Sequence, residues 1–433
     1  MNSVAVKMGA IIAVIIIVIA GVAVYFGGSG SDDSTSYNIK GALPVLGNAD
    51  QDYDIDQDDL DIIQNIIDKK EGYTLANYPM ADANNDGDVT SVDVDIVRGV
   101  INKQKTIVYV INTNFDSSTY VDTVNWPLKA AISAGVSTLP MLFKCSGVMD
   151  YIKGMALSEP YNVDSYLYPE FQGWSSLGPN MREFDVEKVR DIMKSDGVDG
   201  IICVAGLKEN ESIFKNMGIS IVRPECSAPT VEGYTSAMLL MGFLFDAPTQ
   251  SLKVSSWFQD VKDAIDEKTK GVKTVNAVTI GSSGSIWSPS SNYAKCITVA
   301  NGGFPSEIMG QTSNIKFGDW IYTMKDCDVV IDFHSGSSFN SWFSEDCNVS
   351  EYTAAIKLYK DTTMYQNGKA YVIAFDVPMP VKIAYTAVAL YPEQVTEEWA
   401  TEMAQDFYDQ FFGGKFDASK LNVFLTTEEI KAL

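Results

Sequence analysis

Acids and amides alternate along two short stretches of this chain. In the stretch 82–93 (DANNDGDVTSVD), Gly87 stands at the sixth position. A twelve-residue calcium loop supplies oxygen ligands from positions 1, 3, 5, 7, 9 and 12, and it turns sharply at position 6, where glycine avoids backbone strain. The spacing predicts a Ca²⁺ site whose ligands are Asp82, Asn84, Asp86, the carbonyl of Asp88, Thr90 and Asp93.

An upstream stretch, 48–59 (NADQDYDIDQDD), repeats the pattern. The loops begin at 48 and 82, so the repeat is 82 − 48 = 34 residues. An apolar run at helical spacing follows each loop and predicts a helix there. Tyr53 stands where glycine belongs, so we expect it to be forced into the turn and this loop to bind calcium more weakly. Its predicted ligands are Asn48, Asp50, Asp52, Asp54, Asp56 and Asp59.

Two loop-and-helix units without an entering helix, each with Asp at its last ligand position, resemble a type I dockerin. The resemblance covers roughly residues 44 to 104 and implies a small all-α, calcium-binding module with a cohesin-like domain as partner. Loop positions 10 and 11, Gln57-Asp58 and Ser91-Val92, differ from the usual Ser-Thr pair. The resemblance therefore favours calcium binding over docking. The alternative is a pair of acidic, solvated loops that bind no metal.

The remaining chain is long enough to bury a large core. Its 433 residues include 46% hydrophobic and 11% aromatic side chains, as in ordinary globular proteins. The net charge of −24 argues against a nucleic-acid partner, because neutralising phosphates requires clustered Lys and Arg. The charge favours a cationic or neutral ligand. Six cysteines occur without a CxxC pair, which argues against a zinc ribbon and leaves their disulfide pairing open.

An uncharged apolar run of 19 residues extends from Met8 to Phe26. As a helix it would span about 28 Å, close to the thickness of a bilayer core. Lys7 before the run and two acids after it predict a cytoplasmic N-terminus. We expect residues 1–27 to form an uncleaved transmembrane anchor, with residues 28–43 as a flexible linker, in a single-pass protein on the extracytoplasmic face of the cell membrane. A cleavable signal peptide is the alternative.

Beyond residue 105, short apolar runs alternate with amphipathic segments. This alternation predicts an α/β fold with parallel sheets. A first half, 105–250, contains the strand candidates TIVYVIN, AAISAG, VDGIICVAG and ISIVRP, and a second half, 272–433, contains VNAVTIG, CDVVIDFHSG and AYVIAFD. Residues 251–271 between them show a long helical pattern that ends at glycine. The sequence predicts two doubly wound lobes joined by one long helix.

This organisation resembles the class III substrate-binding proteins of ABC importers. The segments that carry the resemblance are FDVEKVRDIMKSDGVDGIICVAG with NMGISIVRPE, NYAKCITVANGGFPSEIMG with KFGDWIYTMKDCDVVIDFHSG, and MYQNGKAYVIAFD with the later LYPEQ. It covers about residues 106 to 433. The resemblance implies a receptor that captures a metal-bearing organic ligand, namely a ferric siderophore or other iron chelate, haem or a cobalamin, and delivers it to an ABC permease.

Ligands of open α/β lobes bind beyond the carboxyl ends of the strands, so residues that follow predicted strands are the candidates. Aromatic rings there would stack on a flat ligand, while Lys208 and His334 would meet its polar or metal-bearing part. His334 is the only histidine, which excludes a bare zinc or manganese site built from several imidazoles. For Trp287 the alternative is a lid on the core. The predicted ligand-binding residues are Trp174, Lys208, Trp287, Tyr293 and His334.

Two acids match the positions at which the family contacts arginines of its permease. They are Glu187 in FDVEKV and Asp319 in KFGDWI, the latter where glutamate is usual. The alternative is that both only favour helix dipoles, at about 0.3–1 kcal/mol each.

Enzymatic motifs are missing from the sequence. No GxSxG elbow, HExxH, Walker loop or complete GxGxxG occurs, and a catalytic triad would have to use the only histidine. We therefore expect a binding protein and not an enzyme. The alternative function is a cell-surface adhesion or scaffold protein that docks through its dockerin-like module.

Overall fold

The computed structural model describes most of the chain beyond residue 36. The described ranges are 37–114, 118–135, 138–156, 166–180, 182–204, 206–225, 230–281, 283–291, 293–316, 325–334, 342–344 and 347–433. Residues 38–433 form one compact unit.

Two loop-and-helix units come first, as the repeat predicts. Helix α1 spans Gln57–Ile67 and helix α2 spans Ser91–Ile101, so both are 11 residues long and begin 34 positions apart. Each begins at a capping box, in which the side chain before the helix and the acid three residues later bond each other's backbone N–H. The acids of these boxes, Asp59 and Asp93, are also the last predicted calcium ligands.

The strand predicted from TIVYVIN forms, but with an unpredicted partner. Strand β1 (Thr106–Thr113) pairs antiparallel with β2 (Thr119–Trp126), with Thr106 opposite Trp126. The prediction that TIVYVIN belongs to the parallel sheet of the first lobe is wrong. Buried residues alternate along the second half of β1, the pattern of a strand with one face on the core.

The N-terminal lobe contains a parallel sheet ordered β5-β4-β3-β6-β7. The order reverses between β3 and β6, as in a doubly wound fold. Its strands are β3 (Ala131–Ala134), β4 (Ile152–Met155), β5 (Ser175–Ser176), β6 (Gly200–Cys203) and β7 (Ser220–Val222). Its helices are α3 (Leu139–Cys145), α4 (Val186–Asp196), α5 (Asn210–Asn216) and α6 (Val231–Leu244).

A long helix, α7, connects the lobes over Pro248–Thr269, beginning three residues before the predicted range 251–271. Proline at its first position suits a helix start, because the missing N–H has no partner there in any helix. The predicted apolar face is buried and comprises Val254, Trp257, Phe258, Val261 and Ile265.

The C-terminal lobe has a second sheet, ordered β11-β10-β9-β8. Its strands are β8 (Ala277–Ile280), β9 (Val329–His334), β10 (Ala370–Ala374) and β11 (Phe424–Leu425). The first three run parallel and β11 pairs antiparallel with β10. The described strands follow one another without a reversal, so this lobe departs from the predicted doubly wound order. Its helices are α8 (Lys295–Val299), α9 (Ala354–Lys357), α10 (Thr363–Gln366), α11 (Met379–Leu390), α12 (Glu397–Phe411) and α13 (Thr427–Ala432).

Short 3₁₀ helices occur in the loops, at Pro79–Ala81, Met149–Tyr151, Pro169–Gly173, Val349–Thr353 and Ala418–Lys420.

The segment 38–46 ties the loop-and-helix units to the rest of the unit. The Asn38 side chain donates to Asp260 and Asp263 of α7, at 2.8 and 3.0 Å. Further along, Val45 pairs with Val110 of β1, and both are fully buried. The predicted flexible linker 28–43 therefore has an ordered end.

The predicted localisation, a single-pass protein of the cell membrane, is corrected. In the ranges given above, no helix is both long enough and apolar enough to cross a bilayer. Helix α7 has the length but carries charged residues along its whole course, and α6 has only 14 residues. The apolar run 8–26 lies outside the described residues. We do not retain the single-pass assignment.

Candidate functional site

The carboxyl edges of the two lobes meet. Met141 lies on α3, which follows the carboxyl end of β3, and Met379 begins α11, which follows the carboxyl end of β10. The backbone N–H of Met379 points at the Met141 sulfur from 3.4 Å. The strand ends of both lobes therefore border a common cleft.

Aromatic rings line the cleft edge of the C-terminal lobe. Trp287 contacts Tyr293 at a centroid distance of 4.5 Å, and Tyr293 contacts Phe375 at 5.1 Å. All three are half-buried. Gly281, directly after β8, lies against the Trp287 indole, and a Cβ there would come within 3.0 Å of the ring. The glycine thus allows Trp287 to lie flat over the strand end.

His334 ends β9 on the same edge. Its backbone carbonyl accepts the N–H of Phe375 at 2.7 Å, so the predicted residues Trp287, Tyr293 and His334 belong to one continuous edge. Its Nδ1 is buried, has no hydrogen-bond partner among the described residues, and lies 3.9 Å from Oδ1 of Asp332. Burial lowers the pKa of His334, which favours the neutral imidazole.

Asp332 is a fully buried carboxylic acid behind His334. Neither of its oxygens has a hydrogen-bond partner within the described residues. Burial raises the pKa of Asp332 to about 8, an increase that the nearby backbone of Ile356 partly offsets. The acid is therefore neutral over most of the physiological range.

A buried lysine contacts the aromatic residues at this edge. Lys382 of α11 is buried, donates to the backbone carbonyl of Phe375, and lies 4.8 Å from the centroid of the Phe375 ring. Burial lowers the pKa of this lysine. The side chain therefore positions Phe375 and the loop after β10.

The N-terminal lobe contributes Lys208, which follows β6 and is exposed. It forms an ion pair with Glu183, and hydrogen bonds from Lys208 and Asn180 lower the pKa of that carboxyl. A polar ligand group would have to compete with Glu183 for this lysine. Lys208 thus reaches the cleft edge as half of an ion pair.

Of the two predicted permease contacts, the structure describes Glu187 but not Asp319. Glu187 is in the first turn of α4 and forms an ion pair with Arg190. The helix begins on the carboxyl side of its sheet, which places this acid near the rim of the cleft. Asp319 lies outside the described residues.

Trp174 lies apart from the other predicted ligand contacts. It directly precedes β5, which runs parallel to β4, and therefore sits at the amino end of the sheet. Its ring packs on Phe171 at a centroid distance of 3.9 Å. The structure brings together Trp287, Tyr293 and His334, but places Trp174 on the opposite edge of the other lobe.

The two predicted calcium loops share one internal hydrogen-bond pattern. In the first, the Asp59 carboxylate accepts the N–H groups of Asp50 and Asp56 at 3.2 and 2.8 Å. In the second, Asp93 accepts those of Asn84 and Thr90 at 3.1 and 2.7 Å. In both loops the acid at the last ligand position thus accepts the backbone N–H groups of loop positions 3 and 9, as the 34-residue repeat predicts.

The loops differ at position 6. Gly87 adopts φ +96°, and its N–H donates to Asp82 at 2.8 Å. Tyr53 does not occur among the described residues with positive φ, so the expectation that it is forced into the glycine turn is wrong. Instead the first loop lacks this turn, which accounts for its different geometry.

The predicted ligands of the two loops do not form a metal-binding cluster in this structure. Among the residues that the structure describes, no group of three or more His, Cys, Asp or Glu side chains is arranged to hold a metal ion. Burial, together with repulsion between neighbouring carboxylates, raises the pKa of Asp54 to about 7, and burial raises that of Asp59 to about 7. The donor types suit Ca²⁺, but the side chains of the loops are not grouped around a common position.

Comparison with known proteins identifies the fold. No protein-family profile and no curated sequence matches the chain. A crystal structure of a periplasmic solute binding protein from Veillonella parvula DSM 2008 is similar over 73% of this chain and 96% of its own, with 16% identity and a TM-score of 0.53. The TroA-like periplasmic binding protein FepB from Veillonella parvula is similar over 70% and 95%, with 15% identity and a TM-score of 0.52. The chain has the two-lobed α/β fold of TroA-like binding proteins.

Several residues of the cleft were not predicted from the sequence. Asp332 had a detectable signal, an acid inside the apolar run VVIDF. Lys382 also had one, as the only charged residue of α11. Phe375, Met141 and Met379 had none, because their roles depend on how strand ends from distant parts of the chain come together in this TroA-like fold.

Proposed function

We propose that this chain is an extracytoplasmic substrate-binding protein that captures its ligand in the cleft between the lobes and delivers it to an ABC permease. The observation that carries the proposal is the meeting of two strand-end edges at Met141 and Met379, one of them lined by half-buried aromatic rings. The TroA-like fold supports it, since both compared structures are named as periplasmic binding proteins.

The ligand of this proposal is a metal-bearing organic molecule, a ferric siderophore, haem or a cobalamin. The rings of Trp287 and Tyr293 offer stacking surfaces for a flat or macrocyclic group. With one histidine, the chain suits a metal already held by its own chelator better than a bare ion. Lys208 and His334 would contact the polar or metal-bearing part.

Native mass spectrometry against a panel of ferric siderophores, haem and cobalamins tests this function. We expect one ligand per chain from one class of the panel, and a five- to thirtyfold weaker complex, roughly, in Trp287→Ala. The matched control is Trp174→Ala, which removes an indole at the opposite edge and should leave cleft binding unchanged. If no member of the panel binds, the proposal fails.

Delivery to a permease would use Glu187, near the rim of the first lobe, and Asp319, to which the family resemblance assigns the same role in the second half of the chain. Arginine–carboxylate pairs combine charge with bidentate geometry, which suits transient docking. Reconstituted transport should fall in Glu187→Gln while ligand affinity stays the same. Equal transport by the variant and by wild type would contradict this docking role.

Calcium binding by the two loops is a further part of the proposal. Carboxylate and carbonyl oxygens at the predicted spacing are ligands that Ca²⁺ prefers. Burial, and after it repulsion from neighbouring carboxylates, raises the pKa of Asp54. A divalent cation would oppose that repulsion. Isothermal calorimetry of the whole protein with CaCl₂ tests it, and a lack of heat from both loops would reject it.

A further inference from the structure

A cavity of about 390 Å³ opens at the amino edge of the N-terminal lobe. Its lining residues precede or begin β4, precede β5, or come from the C-terminal half of α4, so all belong to the edge opposite the ligand cleft. Among them are Asp150, Lys153, Glu170, Trp174, Ile192 and Asp196. The cavity is therefore separate from the site proposed above.

Its wall combines an aromatic face with carboxylates. Trp174 is half-buried, and its contact with Phe171 holds the indole in place. Three carboxylates and one lysine line the cavity, and Lys144 forms an ion pair with one of the carboxylates, Glu170, which gives −3 + 2 = −1. The Nζ of the lining lysine, Lys153, already donates to the backbone carbonyl of Asp150 at 2.6 Å. The negative charge of the wall is thus only partly compensated.

Glu170 is the least available of the three carboxylates. One of its oxygens forms an ion pair with Lys144, while Oε2 is buried and so has no surface toward the cavity. The charge that a ligand would meet therefore comes from Asp150, Asp196 and Lys153.

We propose that this cavity binds a small organic cation, an ammonium or guanidinium group on a short apolar body. The Trp174 ring attracts a cation over its face, the carboxylates of Asp150 and Asp196 supply opposite charge, and Ile192 contacts the apolar part. A neutral molecule of the same shape would lose both electrostatic contributions. The proposal does not depend on the proposed transport function.

Titration of the full-length protein with tetramethylammonium and with 1,4-diaminobutane, followed by ligand-observed NMR, tests the site. The two probes distinguish a quaternary from a primary ammonium. 1,4-Butanediol is the uncharged control for the diamine, and sodium chloride at equal ionic strength controls for screening. We expect saturable binding of at least one cation and none of the diol.

Two variants locate the binding. Trp174→Leu should weaken it by about five- to thirtyfold. Asp196→Asn should weaken it by about two- to fivefold, while Asp191→Asn, the same charge change at another exposed position of α4, should not. Because Asp196 is exposed, its variant should fold even if Trp174→Leu does not.

Three results would overturn the proposal. They are the absence of saturable cation binding, equal binding of the diol, and equal losses in Asp196→Asn and Asp191→Asn. The last would mean that the probes respond to the net charge of the lobe and not to this cavity.

Discussion

At the scale of single residues, Asp332 has the most unusual surroundings. A carboxyl group inside the apolar run of β9, whose oxygens have no hydrogen-bond partner in the part of the chain that the structure describes, strongly favours its neutral form. Since the pKa of Asp332 is raised to about 8 from an ordinary value near 4, the folded state keeps a proton that the unfolded state releases. The stability contributed by this proton is full below about pH 4 and is lost as the pH rises to about 8.

Asp332→Asn should therefore flatten the dependence of stability on pH. Between pH 5 and pH 8, the free energy of unfolding of the wild type should fall relative to the variant by up to about 1.4 kcal/mol per pH unit. Urea denaturation across this range measures it. Asp361→Asn, at an exposed position of the same lobe, is the control, and a parallel pH dependence of wild type and Asp332→Asn would contradict the argument.

The predicted calcium loops permit a second comparison between single side chains. Asp82 accepts two backbone N–H groups, from Asp86 and Gly87, whereas Asn48, at the same position of the loop without a glycine turn, accepts only that of Asp52 among the described residues. The second loop is thus the better organised of the two. Asp82→Ala should reduce calcium affinity more than Asp50→Ala in calorimetry, with the exposed Asp61→Ala unchanged. Equal losses from the first two substitutions would remove the predicted asymmetry.

At the scale of elements, sequence periodicity predicted helices better than strand partners. The apolar runs after the two loops and the helical pattern at 251–271 are local patterns, and helices form there. The partner of β1 could not be predicted, because the alternation along TIVYVIN specifies one buried face but not which strand lies beside it. Likewise, β5 has two residues, too few for a periodic signal, so the sequence did not indicate that Trp174 precedes a strand.

The segment 38–46 is an element whose removal should weaken the N-terminal lobe. Leu43 is buried in the same core as Val108 and Val110 of β1, and its N–H donates to the carbonyl of Asp52 in the first calcium loop. Leu43→Ala should lower the free energy of unfolding by about 2–5 kcal/mol. Leu358→Ala, at a side chain that is 45% exposed, should change it by less than about 0.5 kcal/mol. Equal midpoints of urea denaturation for Leu43→Ala and wild type would show that this core contact is dispensable.

At the scale of the whole molecule, the two loop-and-helix units and the N-terminal lobe share structure. The segment before the first loop pairs with β1, and Gly47 donates its N–H to Met80 beside the second loop. A module joined in this way cannot unfold without disturbing the lobe. The predicted range 44–104 marks a repeat in sequence, while the buried contacts of Val45 extend beyond it.

Calcium should therefore stabilise the whole unit and not the loops alone. At a calcium concentration a hundred times the Kd, the gain would be about 2.7 kcal/mol. Scanning calorimetry should show one unfolding transition that moves to higher temperature with CaCl₂. A separate calcium-sensitive transition, with the main one unmoved, would mean that the loops and the lobe are energetically independent.

The hydrogen bonds between Asn38 and α7 also affect the order in which the chain folds during synthesis. The side chains that hold Asn38 lie 218 to 225 residues later in the chain. At about 5–20 residues synthesised per second, roughly 10 to 45 s separate the emergence of this segment from that of its partners. During this interval Asn38 has no long helix with which to form its hydrogen bonds, so the earliest part of the described chain is among the last to be completed. A ribosome-bound fragment that stops before residue 256 should leave this segment open to proteases, and one that includes all of α7 should protect it.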